Sequence, residues 1–286
     1  MCDQDGFPEQ NFDPGMSRRA FAMLTAGAAF AGTAAQAAEG VVEKDVEVRT
    51  GNGVADAALF YPSGKGPWPA VLIWPDIFGL RPVFRAMGRR LAAEGYVVLV
   101  PNPFYRSKKA PVFPETANFA NPDDRAMLMK EMGSLMAASV EGDARAYLAF
   151  LDRQPQTNRR AKAGVQGYCM GGPLSFRTAA AVPNRIGAVG SFHGGGLVTK
   201  EPSSPHLLIE KTNARYLIAI AQNDDKSEPE TKNVLRTTLA KAGKPAIVDV
   251  YRGDHGWCVP GSGPYNQAEA ERAWAALLST YKVSLA

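Results

Sequence analysis

The chain has 286 residues, of which 45% are hydrophobic and 21% are charged, a composition typical of a globular protein with a large core. Its formal net charge is +4 at neutral pH, and no single segment carries the cluster of lysine and arginine that a nucleic-acid-binding surface shows. Composition and charge therefore exclude a largely disordered chain and give no indication of a nucleic-acid partner.

The N-terminal segment has the pattern of an export signal. A twin arginine, Arg18 and Arg19, precedes an apolar, Ala-rich stretch over residues 21–31, and the small residues of 35–37 offer a cleavage site. The alternative is an ordinary Ala-rich helix, but the stretch lacks a polar face. Because it is also too short for a stable membrane anchor, we expect residues 1–37 to direct twin-arginine export to the bacterial periplasm. Either Met1 or Met16 could be the true start.

Residues 38–286 are expected to form one domain in which strands and helices alternate. The predicted strands are apolar runs without polar alternation, which is typical of strands buried on both faces of a parallel sheet: 69–76, 96–101, 163–169, 186–192, 214–221 and 246–251. The predicted helices are amphipathic segments near 82–94, 138–154, 173–182, 229–242 and 266–282. This alternation predicts an α/β fold with a mostly parallel sheet and helices on both faces.

Two segments depart from the alternation. Residues 41–62 alternate apolar and polar side chains on both sides of a Gly-Asn-Gly turn, which predicts an antiparallel hairpin at the edge of the sheet. Residues 102–137 are rich in Pro, Asn, Lys and Met, and an insertion of this length is a candidate lid or substrate-lining loop.

A cysteine lies between glycines just after one predicted strand, in Gly-Tyr-Cys-Met-Gly (167–171). The spacing is that of the nucleophile elbow Gly-x-Ser-x-Gly, with sulfur in place of oxygen. In such a turn the glycines make room for a strained backbone, and the following helix directs its N–H groups at the nucleophile. The alternative is a small buried hydrophobic residue near a turn. We favour Cys169 as a nucleophile.

Candidate partners follow in the order nucleophile, acid, histidine that α/β-hydrolases use. Asp224 and Asp225 come directly after one strand, and His255 lies in a glycine-flanked loop after the next. We expect His255 to be the base and Asp224, at the strand exit, to be the acid, with Asp225 as the alternative. Of the other two histidines, His193 is expected to line the pocket and His206 to lie on the surface.

These residues resemble the dienelactone hydrolases, which are α/β-hydrolases with a Cys-His-Asp triad. The resemblance spans about residues 42–284 and rests on the sequences Trp-Pro-Asp-Ile-Phe-Gly-Leu (74–80), Gly-Tyr-Cys-Met-Gly-Gly (167–172), Ala-Gln-Asn-Asp-Asp (221–225) and Asp-His-Gly-Trp (254–257). It implies that the backbone amides of Ile77 and Met170 form an oxyanion hole. It also implies that the carboxylate of Asp76, where the family usually has Glu, contacts the resting thiol.

Family members that act on a carboxylated lactone hold that carboxylate with arginines, one of them shortly after the catalytic histidine. No arginine stands there in this sequence, so Arg106 and Arg125, near or in the insertion, are the candidates for binding substrate charge. Tyr105 and Trp257 are candidates for the wall of the substrate pocket. No metal-ligand spacing and no phosphate-binding loop is found, so neither a metal nor another cofactor is expected.

The sequence thus predicts a monomeric hydrolase that cleaves a small ester or lactone through Cys169. A broad carboxylesterase or thioesterase is the alternative within enzymes. A non-catalytic redox or binding protein, in which Cys169 and Cys258 form a disulfide, is the alternative outside them.

Overall fold

Eight strands form one sheet in the computed structural model, which describes residues 40–285; the predicted export segment lies outside the described residues. Their order across the sheet is β1-β2-β4-β3-β5-β6-β7-β8. The strands are β1 (Val41–Thr50), β2 (Gly53–Pro62), β3 (Ala70–Trp74), β4 (Val97–Pro101), β5 (Ala163–Tyr168), β6 (Ile186–Phe192), β7 (Arg215–Ala221) and β8 (Ala246–Tyr251).

The predicted N-terminal hairpin is confirmed. Strands β1 and β2 pair antiparallel, with Thr50 opposite Gly53 at the turn, and β2 in turn pairs antiparallel with β4. The remaining neighbours, from β4 through β3 to β8, are parallel. Parallel strands place their carboxyl ends at one edge of the sheet, and this edge is where loops converge in open α/β folds.

Burial of the central strands follows the sequence pattern, and the last strand departs from it. Every residue of β3, β4, β5 and β6 is buried. Strand β8 lies at the edge of the sheet, and Ile247 in it is 47% exposed. The prediction that this run is buried on both faces is therefore wrong, because an edge strand has a sheet neighbour on one side only.

Helices cover both faces of the sheet. They are α1 (Pro82–Ala93), α2 (Pro122–Gly133), α3 (Ala137–Arg153), α4 (Gly171–Ala181), α5 (Gln222–Ser227), α6 (Thr231–Lys241) and α7 (Gln267–Ser284), with a 3₁₀ helix at Pro205–Lys211. Alternate residues of β3 separate the two cores: Leu72 and Trp74 pack with residues of α3, α4 and α6, whereas Val71 and Ile73 pack with residues of α1 and α7. This is the predicted α/β layering.

Helices α2 and α5 are absent from the sequence prediction. Helix α2 buries only Leu128 of its residues, so it has no amphipathic period to detect. Its start is nevertheless encoded, because Asn121 caps the amides of Asp123 and Asp124 and Pro122 follows the cap. Helix α5 is only six residues long and was predicted as part of a loop.

The first part of the insertion is fastened to the body of the domain. The carboxylate of Asp143 on α3 is almost fully buried, and it accepts hydrogen bonds from Tyr105 Oη at 2.8 Å and from Arg106 Nη2 at 2.8 Å. Asn102 binds Asp56 on β2 in the same region. A buried carboxylate requires such partners, so these contacts hold the start of the insertion against β2 and α3.

No helix within residues 40–285 is long and apolar enough to cross a membrane.

Two glycines in helices allow a matched test of this packing. A Cβ at Gly88 in α1 would lie 2.6 Å from the buried ring of Phe60 on β2, whereas a Cβ at Gly142 in α3 meets open space. We expect Gly88→Ala to lower the free energy of unfolding by about 1–3 kcal/mol through overpacking. Gly142→Ala should raise it by about 0.4–1 kcal/mol, because alanine restricts the unfolded chain. Urea unfolding of both variants measures these changes in the free energy of unfolding. An equal change in the two variants would contradict the packing of α1 on β2.

Candidate active site

Cys169 has a strained backbone at the end of β5. Its φ is +52°, in the left-handed region that residues other than glycine rarely adopt. Its amide donates a hydrogen bond to Phe192 O, at the end of neighbouring β6, at 3.0 Å. The residue is partly exposed, whereas Tyr168 and Met170 on either side are buried. The turn therefore holds the sulfur out of the sheet, as a nucleophile elbow does.

The elbow glycines allow backbone segments to touch. A Cβ at Gly167 would lie 1.8 Å from Gly171 O, and a Cβ at Gly171 would lie 2.4 Å from Trp74 O at the end of β3. A Cβ at Gly172 would lie 2.6 Å from the Cα of Gly194. These distances are too short for any side chain, so all three positions require glycine for steric reasons.

The amides proposed for the oxyanion hole are free to donate. Among the hydrogen bonds of residues 40–285, none has the amide of Ile77 or of Met170 as its donor. Met170 precedes the first turn of α4, which begins at Gly171, two residues earlier than predicted. Because Gly171 packs against the carbonyls of Trp74 and Pro75, the loop that carries Ile77 lies beside the elbow. Free amides here can stabilise negative charge on a bound oxygen.

Asp224 and His255 are brought together. His255 Nδ1 lies 2.7 Å from Asp224 Oδ2, and the His255 amide donates to Asn223 Oδ1 at 2.8 Å. Asp225 instead holds Lys232, at 2.6 and 2.8 Å. Of the two adjacent aspartates, Asp224 is therefore the one that contacts the histidine.

Opposing effects set the charge of His255. Burial lowers the pKa of His255, but hydrogen bonds with Asp224 and with Cys169 outweigh it and raise this pKa to about 10. The sulfur is therefore near enough to the ring to affect its charge. Because the folded pKa exceeds the ordinary value of about 6.5, these contacts stabilise the fold fully below about pH 6.5. That stabilisation is lost as the pH rises through about 10.

Asp76 makes no hydrogen bond with the thiol within residues 40–285, and its contact with the thiol stays a prediction. Its two carboxylate oxygens accept hydrogen bonds from Arg81, at 2.6 and 2.8 Å, and one of them also accepts from the Phe78 amide at 3.0 Å. Cys169 is not among its hydrogen-bond partners in residues 40–285. A bidentate guanidinium satisfies a mostly buried carboxylate better than a neutral thiol does, which explains the pairing.

Two residues expected to bind substrate serve another purpose. Arg106 and Tyr105 both hold the buried carboxylate of Asp143, and the Arg106 guanidinium lies 4.5 Å from the centre of the Tyr105 ring. Their side chains thereby fasten the insertion, and their contact with substrate stays a prediction. Arg125 is an exposed residue of α2, and its role in substrate binding stays a prediction.

Trp257 and His193 lie behind the site instead of lining it. The Trp257 side chain is fully buried and stacks on Tyr251 with ring centres 4.6 Å apart. His193 is 1% exposed, and its ring centre lies 4.8 Å from that of His255. Because neither side chain reaches solvent, the prediction that they contact substrate is wrong; both pack against the region that holds His255.

The second described cysteine lies in a different environment. Both Cys169 and Cys258 are free thiols, and they pack with the cores on opposite faces of the sheet. Burial raises the pKa of Cys258 well above its ordinary value, so this thiol stays protonated and unreactive. Within residues 40–285, no three His, Cys, Asp or Glu side chains are grouped as metal ligands would be.

Sequence reasoning missed Asn223 and Arg81. Asn223 adjoins Asp224 in the sequence, and its position at the same strand exit was a usable signal for a polar residue that binds the histidine loop. Arg81 lies five residues after Asp76, across a turn in which Gly79 donates to Asp76 O. Only the folded turn directs that guanidinium back onto the carboxylate.

The contact between Asp224 and His255 can be tested without a substrate. We expect Asp224→Asn to lower the pKa of His255 from about 10, measured by ring ¹⁵N NMR, because its charge-assisted hydrogen bond is lost. Alkylation of Cys169 by iodoacetamide at neutral pH should slow by about tenfold or more. The matched variant Asp225→Asn should change neither quantity. Equal effects of the two variants would contradict this assignment.

The chain matches a known protein family. Residues 55–285 match the model of the dienelactone hydrolase family. The carboxymethylenebutenolidase of Rhodococcus opacus is 28% identical over 194 residues, which cover 68% of this chain and 71% of that protein.

Solved structures share the fold. A dienelactone hydrolase-like promiscuous phosphotriesterase, P91, from metagenomic libraries superposes with a TM-score of 0.72 at 21% identity, covering 86% of this chain and 100% of that one. The dienelactone hydrolase of Anabaena variabilis superposes with a TM-score of 0.56 at 18% identity, covering 87% and 100%. The family model spans most of the chain, including the elbow, Asp224 and His255, so this protein belongs to the dienelactone hydrolase family.

Proposed function

We propose that this protein hydrolyses a small ester or lactone through Cys169, with His255 as the base and Asp224 as its partner. The observation that carries the proposal is the strained elbow at Cys169, which lies near a histidine that Asp224 holds at 2.7 Å. These three residues come from one chain, so a monomer suffices for the reaction.

The first half of the reaction transfers the acyl group to sulfur. In the resting site His255 holds the proton that the Cys169 thiol has given up, and the thiolate attacks the carbonyl carbon, so that a C–S bond forms and the carbonyl electrons move to oxygen. The amides of Ile77 and Met170 stabilise that oxyanion. When the tetrahedral intermediate collapses, the C–O bond breaks and His255 returns its proton to the leaving oxygen. A thioester on Cys169 remains.

The second half depends on a change in the basicity of His255. The contacts that raise its pKa include those with Cys169, and sulfur in a thioester carries no charge to sustain them. The pKa of His255 therefore falls in the acyl-enzyme, which prepares the ring to accept a proton from water. Hydroxide attacks the thioester, the thiolate leaves, and the carboxylic acid product is released.

The charges around the site support a substrate that is neutral near its reacting bond. Arg81 is paired with Asp76, Arg106 is paired with Asp143, and the loop after His255 has no arginine at the position where the family places one. A substrate carboxylate that bound Arg81 or Arg106 would have to displace an existing ion pair. We therefore include neutral esters and lactones in the proposed substrate class, in addition to the carboxylated lactones that the family name suggests.

Trapping of the acyl-enzyme tests the nucleophile and the substrate class together. The protein is mixed with p-nitrophenyl acetate, a neutral lactone or a carboxylate-bearing ester, quenched in acid and analysed by peptide mass spectrometry. We expect the acyl group on the peptide that contains Cys169, with neutral substrates reacting within about tenfold of the charged one. Cys169→Ala should lower kcat by on the order of 10⁴- to 10⁶-fold, because the nucleophile is removed.

The control is Cys258→Ala, which removes the buried thiol and should retain both the adduct and turnover. An adduct on Cys258, or full activity of Cys169→Ala, would contradict the proposed mechanism. Reversible loss of both thiols without turnover would instead favour the redox protein. Reaction with the carboxylate-bearing ester alone would show that the substrate class is narrower than proposed.

We also propose that the protein works in the periplasm after twin-arginine export. Support comes from the arginine pair and the apolar stretch within residues 17–37. We expect the wild-type chain, expressed in a bacterium with a twin-arginine system, to be found in the periplasmic fraction without its first residues. Replacement of Arg18 and Arg19 by lysine should leave it in the cytoplasm. Unchanged distribution would exclude this export route.

A further inference from the structure

His193 has a strained backbone next to the elbow. Within residues 40–285, Cys169 and His193 are the two residues other than glycine with positive φ, at +52° and +39°. Each directly follows one of two paired strands, and Tyr168 at the end of β5 lies opposite Phe192 at the end of β6. Backbone strain of this kind costs about 1–3 kcal/mol and is concentrated at functional sites.

The side chain of His193 is buried at a cost as well. It is 1% exposed, and neither Nδ1 nor Nε2 has a hydrogen-bond partner within residues 40–285. An unsatisfied buried polar group costs about 1–3 kcal/mol, which an apolar side chain would avoid. Without a hydrogen-bond partner, the ring acts on its neighbours through packing.

Among the aromatic ring pairs of residues 40–285, the ring that packs against His255 belongs to His193. Its centre lies 4.8 Å from that of His255, and the two ring planes are inclined by 66°. The ring centres of Tyr168 and Trp257 lie 6.1 and 6.4 Å from the ring centre of His193. The His255 ring is thus bounded by Asp224 at Nδ1, by Cys169, and by the imidazole of His193.

Of His193 and His255, only His255 is protonated and positively charged at neutral pH. Burial, and then the charge of nearby His255, lower the pKa of His193 well below its ordinary value. The titratable groups that act on His255 are Asp224 on α5 and Cys169 at the elbow. Because the His193 ring is neutral, it does not repel the His255 ring when the His255 ring is protonated.

We propose that His193 is a positioning residue: its neutral, buried imidazole packs against the His255 ring and keeps it aligned between Asp224 and Cys169. This inference rests on the proposed function, in which His255 transfers protons to and from sulfur, the leaving oxygen and water. Loss of the packing would let the ring rotate and admit water, which weakens both hydrogen bonds of His255. Because His193 is shielded from solvent, substrate binding would be unaffected.

Two substitutions of His193 distinguish the effect of its ring from the effect of its backbone conformation. His193→Asn removes the ring but tolerates a positive φ, since Asn is among the residues enriched in that region. His193→Phe keeps a ring of similar shape without nitrogen atoms. The control is His206→Gln, on the 3₁₀ helix, where His206 Nδ1 lies 2.7 Å from Ser204 Oγ. Thermal unfolding shows which variants are folded.

NMR titration of ring ¹⁵N in the intact protein is the first measurement, and the three histidines of the chain make the spectrum assignable from the variants. In the wild type we expect the pKa of His193 to lie well below its ordinary value and His255 to titrate near pH 10. In His193→Asn the pKa of His255 should fall. Protonation of His193 near pH 6–7, or an unchanged pKa of His255 in the Asn variant, would overturn the proposal.

Kinetics with p-nitrophenyl acetate is the second measurement. We expect His193→Asn to lower kcat by about 10- to 100-fold with KM almost unchanged, because only the alignment of His255 is lost. His193→Phe should recover most of kcat, and His206→Gln should match the wild type. If a folded Phe variant is as slow as the Asn variant, ring packing is not the cause and the proposal is wrong.

The two measurements distinguish the possible failures. Absence of turnover in the wild type with every ester and lactone would refute the proposed function, and the NMR titration would still test the contact between the rings. Turnover in the wild type with no change in either measurement for His193→Asn would refute the positioning role alone.

Discussion

No side chain fits at Gly167, because a Cβ there would lie 1.8 Å from Gly171 O. The end of β5 and the first turn of α4 therefore touch through their backbones, and Gly171 touches the end of β3 in the same way. This contact fixes Cys169 at a positive φ with its sulfur held out of the sheet, beside the loop that carries Ile77. The geometry of the nucleophile and the free amides depends on these contacts.

The parallel sheet supplies the remaining groups. Strands β5, β6, β7 and β8 are neighbours in that order, and their carboxyl ends lead to Cys169, His193, Asp224 and His255 respectively. Residues separated by up to 86 positions in sequence thereby meet at one edge of the sheet. Two neighbouring side chains of α5 then secure the last loop, Asn223 through the His255 amide and Asp224 through its ring.

Charges near the site are mostly neutralised by their own partners. Arg81 binds Asp76, Arg106 binds the buried Asp143, and Lys232 binds Asp225. Asp224 is left to act on His255, and together with Cys169 it raises the pKa of that ring to about 10. His193, which is buried without a hydrogen-bond partner among residues 40–285, remains neutral beside them.

Much of the fold was predictable because its signals are local. Apolar runs marked each central strand, the Gly-Asn-Gly turn marked the hairpin, and the glycines around Cys169 marked the elbow. Helix α2 was not predicted from the sequence because its apolar residues have no helical period, although the capping residue Asn121 was recognisable. The prediction for β8 was wrong in its burial because sequence does not reveal which strand lies at the edge.

The sequence by itself determined the architecture, the elbow, and the order of Cys169, the aspartates and His255, because hydrophobic period and glycine sterics act over a few residues. Only the tertiary structure decided between Asp224 and Asp225, which have almost the same neighbours in sequence but point to different partners. It also showed that Asp76 pairs with Arg81 and that the ring of His193 packs against the ring of His255. Such pairings depend on the directions of side chains that the fold brings together, and no local pattern encodes them.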